Sequence, residues 1–240
     1  DCLDAAALIC RKAGSYEEAL SQVRKSEKRT LQLFGATSAR YAMHLESYAG
    51  IYHDDGFSDN DDVYIKLEEK YLRQAAEIYK SLSGQQAEYL AIRNKANLAA
   101  WYNNTGNFAQ AEALFQDVAA FYLKNEGRSS LSYLSALNNL GVVFYNTGNY
   151  KLAEKNFIES LAGLEKNTGL TKKYRAIVLC NLGLLYHDMG NFRNAEVVLD
   201  EAQEYFLQLS LDESPLYSVL LNNKAAVYIS GEYYESPEKK

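Results

Sequence analysis

The sequence predicts an all-α protein, a solenoid of antiparallel helix hairpins stacked one on the next. Three observations carry this reading. One line of sequence recurs at a fixed interval, as KANLAAWYNNTGNF (95–108), LNNLGVVFYNTGNY (137–150) and LCNLGLLYHDMGNF (179–192). The apolar positions within that line fall at helical spacing. Only two prolines, Pro215 and Pro237, stand in 240 residues, so helices can run long.

Each element follows from the repeated line. Leu137, Leu140, Gly141 and Phe144 are i, i+3, i+4 and i+7, one stripe of a first helix. Gly148 supplies the left-handed residue that ends it, and Asn149 is a natural N-cap for the helix that returns. Asn107 and Asn191 are its counterparts. The returning helix turns Tyr150, Ala153 and Phe157 inward, and Ala153 is small enough for close approach. The same set recurs as Leu179, Leu182, Gly183 and Tyr186 with Phe192, Ala195 and Leu199. It recurs again as Leu98, Ala99 and Tyr102 with Phe108, Ala111 and Phe115. One hairpin cannot bury its stripe alone, whereas stacked neighbours can.

The expected turns are Gly14, Gly56, Gly106, Gly148, Gly190 and Gly231, at spacings of 42, 50, 42, 42 and 41. The longer interval comes from an insert, FSDNDDVYIKLEEK (57–70), read as an acidic, solvated loop ahead of a long helix. A calcium loop fits it poorly, because Val63 and Lys70 stand where oxygen ligands belong. The repeats run approximately 1–34, 35–84, 85–127, 128–169, 170–211 and 212–240, the last a partial sixth hairpin. The expectation is a single solenoid, and a fragment of a larger protein.

Composition excludes several functions. The net charge is −6 and no Lys/Arg run reaches five residues, which argues against nucleic acid. No stretch approaches 18 uncharged apolar residues, which argues against a membrane span. Cys2 and Cys10 would lie about 12 Å apart on one helix, too far for a disulfide. With Cys180 they are read as reduced core thiols of a cytoplasmic protein. No CxxC or HExxH occurs, His44, His53 and His187 are scattered, and no cofactor or metal is expected. His187 beside Asp188 lacks a visible nucleophile, so an enzyme is not expected.

The pattern LxxLGxxY…G[NDx][YF]xxAexxF resembles the tetratricopeptide repeat. Its 42-residue period and the LNNLG wording are most similar to the kinesin light chain type. The family's usual proline at the end of the second helix is missing throughout. The resemblance implies a right-handed superhelix, no chemistry of its own, and a concave face that binds proteins or peptides. Similar arrays precede caspase-like (CHAT-type) proteases in bacteria, which gives an alternative role as a regulatory module.

On a helical wheel, Ser135, Asn139, Val142 and Asn146 point away from the core stripe. The resemblance places that side on the concave groove. The same positions in the neighbours are Arg93, Asn97, Ala100 and Asn104; Ile177, Asn181, Leu184 and Asp188; and Val219, Asn223, Ala226 and Ser230. Sixteen positions hold two charges, too few for an ordinary solvated face. Asn97, Asn139, Asn181 and Asn223 form a ladder at 42-residue intervals. Mid-helix asparagine costs up to roughly 0.7 kcal/mol per site relative to alanine, so four in register ask for a reason.

A side-chain amide can bond both C=O and N–H of an extended peptide, while Val142, Tyr145, Ile177 and Leu184 supply apolar pockets. His187 is a groove-edge contact, and Arg93 would favour an acidic residue at one end. The competing reading is an internal amide ladder that links repeats. A clamp for acidic tails needs several groove cations, and Arg93 stands alone among the mapped positions of these four repeats. Self-association through the open C-terminal end is a further alternative.

Overall fold

The structure, a computed structural model, describes residues 2–59, 62–164 and 168–235. Eleven α-helices and no strand occur among the described residues. They divide into two compact units that meet in sequence after Asn107.

The first unit holds α1 (Cys2–Lys12), α2 (Tyr16–Phe34), α3 (Ala39–Asp59), α4 (Asp62–Ser81) and α5 (Gln85–Asn104). The second holds α6 (Phe108–Glu126), α7 (Leu131–Asn146), α8 (Tyr150–Ala162), α9 (Gly169–Asp188), α10 (Phe192–Gln208) and α11 (Pro215–Glu235). Odd-numbered helices are the first helices of the repeats.

The hairpin turn is built as the sequence indicates. At Gly148, φ is 74°, and the next N–H, that of Asn149, reaches back to the Phe144 carbonyl at 2.8 Å. This backward bond needs a left-handed residue and satisfies a carbonyl the helix end would otherwise orphan. Asn149 then caps α8 by accepting from the Leu152 N–H, and Asn191 caps α10 in the same way from Asn194.

Two expected turns are not turns. Gly56 lies inside α3 and Gly231 inside α11. Glycine permits a left-handed residue without demanding one, and at both places the helix continues. The insert is not a loop either. Its described residues extend α3 to Asp59 and restart as α4 at Asp62, while residues 60–61 lie outside the described set. A ladder of stacked tyrosines, Tyr64 on Tyr52 on Tyr71 on Tyr48, with centroids 5.1–5.8 Å apart, carries the two helices along each other. The Trp101 indole N–H donates to the Ile65 carbonyl at 3.2 Å, seating α5 on the lengthened α4.

In the second unit, Phe157 of α8 packs with Ala153 and with Val178, Leu182 and Leu185 of α9. A Cβ built on Gly141 would stand 2.5 Å from the Phe157 ring, and one on Gly183 2.5 Å from Leu199. The glycine of the LNNLG wording therefore seats the large residue of the returning helix. Tyr174 reaches the Leu134 carbonyl at 2.7 Å, and burial raises its hydroxyl to about 12.

The cysteine expectation holds only in part. Cys180 is buried, and burial raises its thiol to about 12, leaving it inert. Cys2 is exposed and Cys10 half-buried, because both lie on sides of α1 that no described helix covers fully.

Candidate functional site: the faces of the first helices

In the second unit the mapped positions of α7, α9 and α11 are all partly or fully exposed, while Leu137, Leu140, Gly141 and Val143 beside them are buried. The helices hand polar groups to one another along this side. Asn181 donates to Asn138 at 2.9 Å, and Asn138 donates to Asn139 at 3.5 Å. Tyr145 donates to Asp188 at 2.5 Å, and the His187 ring bonds Asp188 at 2.8 Å and Ser230 at 3.0 Å.

Each of these bonds between helices joins residues 43 apart. That is the repeat length plus one. A rung forms when the residue just before the ladder position is polar and meets the ladder asparagine of the next repeat. Asn138 does this for Asn181. Cys180 stands at that place for Asn223, a thiol offers almost nothing, and Asn223 makes no hydrogen bond among the described residues. The asparagines are thus not equivalent. Asn181 is spent between helices, whereas Asn223 and the amide N–H groups of Asn139 are open. Val142, Ile177 and Leu184 are half-buried, Val219 is exposed, and Ser135 is half-buried at the other end of α7.

Sequence reasoning found no nucleophile for His187, and the structure brings Ser230 to it. Tyr145, Asp188, His187 and Ser230 form one hydrogen-bonded line across α7, α9 and α11. Ser230 sits inside α11, where backbone N–H groups are committed to the helix and cannot hold an oxyanion. The line fastens the helices and occupies the Asp188 carboxylate with hydrogen bonds.

In the first unit, α1, α3 and α5 are joined by charge. Arg11 forks onto Asp54 at 2.5 and 3.0 Å. Glu46 accepts from Arg93 at 2.6 Å, Tyr79 at 3.0 Å, Asn94 at 3.2 Å and Asn97 at 3.5 Å. The Arg93 guanidinium is therefore turned to Glu46. Asn97 uses the same register as Asn181, with Glu46 in the place of Asn138, so the partner lies one residue before the mapped stripe. Asn104 accepts from Asn103 at 3.5 Å. A cleft of about 800 Å³ opens here, lined by Arg11, Arg40, Met43, Leu90 and Arg93 with the acids between them. The sequence reading left Arg11, Arg40 and Glu46 unassigned. A 43-residue scan for polar pairs finds Arg11 with Asp54 directly and, corrected for the insert, points to Glu46, while no comparable signal marks Arg40.

The other two histidines lie in this unit, and His44 is buried. His44 bonds Thr30 at 2.9 Å, and burial lowers its pKa. His53 bonds Glu68 at 3.1 Å, and that bond raises its pKa.

Helix hairpins repeated at 42 residues, with first helices laced by side chains, define a helical repeat protein. Tetratricopeptide-repeat family models match residues 88–166 and 176–208. The chain carries tetratricopeptide repeats over those residues, and its fold is similar to that of kinesin light chain-type repeat proteins. BtubC (BKLC) from P. vanneervenii superposes with a TM-score of 0.68 at 18% identity, over 93% of this chain and 87% of that one. Kinesin light chain nearly identical TPR-like repeats from Podosopora anserina superpose at 0.66 in a singly substituted form, with 15% identity over 87% of this chain and 95% of theirs. The form without that substitution gives 0.64, with 15% identity over 86% and 94%. No curated protein matches the sequence. No helix among the described residues is long and apolar enough to cross a membrane.

Proposed function

We propose that the α7–α9–α11 face of this scaffold holds an extended, uncharged segment of a partner protein. Tetratricopeptide repeats generally mediate protein–protein interaction, which sets the class. One observation carries the finer reading. The twelve mapped positions of these helices include a single charged residue, Asp188, already engaged by Tyr145 and His187. An incoming acidic or basic side chain would lose hydration and find no partner there. A neutral backbone finds the open amides of Asn139 and Asn223 as donors and acceptors. Val142, Ile177 and Leu184 take its apolar side chains. Asn181 holds the helices in register. Asn97 of the same ladder lies on α5 with Arg93 and Asn104, and there Arg93 and Asn97 are both turned to Glu46.

The test is selection of peptides from a display library on the wild-type chain, followed by affinity measurement on Asn139→Ala/Asn223→Ala. The selected peptides should lack charge across their contact residues. The double variant should bind them roughly tenfold to thirtyfold more weakly, as expected for two hydrogen bonds of about 1 kcal/mol each. Its melting temperature should not change. Selected peptides rich in Asp and Glu, or affinity indifferent to both asparagines, would overturn the proposal.

A further inference from the structure

We infer that the outer face of α2 docks on the outer face of α10 of a second copy of this chain, with the two helices parallel and in register. This goes beyond segment binding, which uses first helices, because α2 and α10 are both returning helices.

Each returning helix carries a fully buried alanine that serves as a common reference: Ala19, Ala75, Ala111, Ala153 and Ala195. Residues five, six and nine further on fall on the opposite side of the helix. In α2 they are Arg24, Lys25 and Lys28, and in α10 they are Asp200, Glu201 and Glu204. All six are exposed. Between them in chain order the charge changes in steps. Lys80 is the one charge at these positions in the second repeat, Asp117 in the third and Glu159 in the fourth. From first repeat to fifth the three positions therefore sum to +3, +1, −1, −1 and −3. An ordinary solvated surface intersperses the two signs, whereas here they are sorted by repeat.

The openness of these positions is not confined to the ends of the chain. Ile158 of α8 stands where Arg24 and Asp200 do and is 48% exposed, and Gln116 of α6 is exposed there too. Returning helices pack on first helices, α6 on α7 and α8 on α7 and α9, which leaves this side to water.

Charge complementarity selects the occupant. Arg24, Lys25, Lys28, Glu201 and Glu204 make no hydrogen bond or ion pair among the described residues, while Asp200 holds Lys224 at 2.6 Å. A parallel contact in register sets Lys25 against Glu201 and Lys28 against Glu204. It also sets Glu17 against Arg193, each exposed and two residues before the reference alanine. An antiparallel contact that pairs Arg24 with Glu204 and Lys28 with Asp200 sets Lys25 against Gln203 and leaves Glu17 and Arg193 outside. The chain as a whole carries −6, so two copies repel over most approaches and attract on this one. Each copy has one face of each kind, so the contact is heterologous and either closes into a ring or continues as a row. Exposed ion pairs are individually weak and screened by salt, which makes the assembly dependent on concentration and on ionic strength.

The test is mass by light scattering across a concentration series, at about 0.1 M and about 1 M salt. At the lower salt the wild-type mass should rise above the 27.0 kDa of one chain, and at the higher it should not. Lys25→Glu/Lys28→Glu and Glu201→Lys/Glu204→Lys should each remain at the single-chain mass. Helix content and melting temperature should be kept, since all four residues are exposed. The two variants mixed should associate again, because the reversed α2 of one meets the reversed α10 of the other, and a lost fold cannot mimic that recovery. Glu17→Arg should shift association to higher concentration. A wild-type chain that stays at the single-chain mass at both salts overturns the inference. So does a mixture that fails to associate, or an assembly indifferent to salt or to Glu17→Arg. A chain that stays single and instead binds phosphatidylserine vesicles through Lys25 and Lys28 would give the α2 face to an anionic surface and likewise overturn it. Asn139→Ala/Asn223→Ala should leave the mass unchanged, so the two proposals fail separately.

Discussion

The two units solve one problem with different chemistry. Each must hold successive first helices in register along a side that faces water. The first unit uses charge: the Arg11–Asp54 fork and Glu46 with its four donors. The second uses neutral groups, Asn138 with Asn181, and the line from Tyr145 to Ser230. A register recurs in both: Arg11 and Asp54 are 43 residues apart, as are Asn138 with Asn181, Tyr145 with Asp188 and His187 with Ser230. The difference teaches that repeat geometry fixes where a rung can form, while the residue at the rung decides whether the face is charged or open to a neutral segment.

Trp101, the sole tryptophan, sits in the first unit, so its fluorescence reports that unit while far-ultraviolet circular dichroism reports both. The largest effect is expected from Glu46→Ala. It strands Arg93, Asn94, Asn97 and Tyr79 together, and Glu46 itself is only 10% exposed. Arg93 is half exposed and recovers water, which brings the cost to about 3 kcal/mol, the low end for a broken buried pair. The tryptophan transition should fall well below wild type, and an unchanged transition would sink the hub assignment.

Next comes Gly141→Ala. The added methyl meets the buried Phe157 ring, and overpacking of this kind costs about 1–3 kcal/mol. The first unit already carries alanine at the counterpart position, Ala99. Circular dichroism should show a lowered transition, while tryptophan fluorescence should move less. Equal movement of both signals would show that the contrast between the units is not local.

Smaller still is the contrast within the ladder. Asn181→Ala loses its bond to Asn138 and should cost about 1 kcal/mol. Asn223→Ala loses no bond and should fall within about 0.5 kcal/mol of wild type. Equal costs in denaturant unfolding would refute the rung rule.

The smallest effects are those of pH, and they belong to the first unit. The pKa of His53 is raised above 6.5 by its bond to Glu68. Its contribution is complete below the unfolded value and is lost as pH rises through the raised one. The stability gap between wild type and His53→Gln should therefore close as pH increases. The pKa of His44 is lowered from 6.5 by burial. Its contribution is present above 6.5 and is lost as pH falls through the lowered value, so His44→Gln should gain on wild type in acid. A pH titration of tryptophan-monitored unfolding checks both signs.

Several features of the chain were legible without coordinates. The 42-residue line determined the hairpins, because helical spacing, a left-handed glycine and an asparagine cap act within a few residues of one another. Gly14, Gly106, Gly148 and Gly190 all have positive φ as read. The sequence also determined that the α7–α9–α11 face is nearly free of charge, since that follows from residue identity at helical positions. Tertiary structure alone decided the rest. Gly56 and Gly231 stayed helical because the turn depends on what the helix can fold back against, such as the tyrosine stack that carries α3 to Asp59. Which asparagine is spent and which is open depends on a neighbour 43 residues away, Asn138 for Asn181 and Cys180 for Asn223. The Arg11–Asp54 and Glu46 contacts likewise join helices far apart in sequence. Local rules see only a few residues at a time, whereas a hydrogen bond between repeats exists only once the helices have packed.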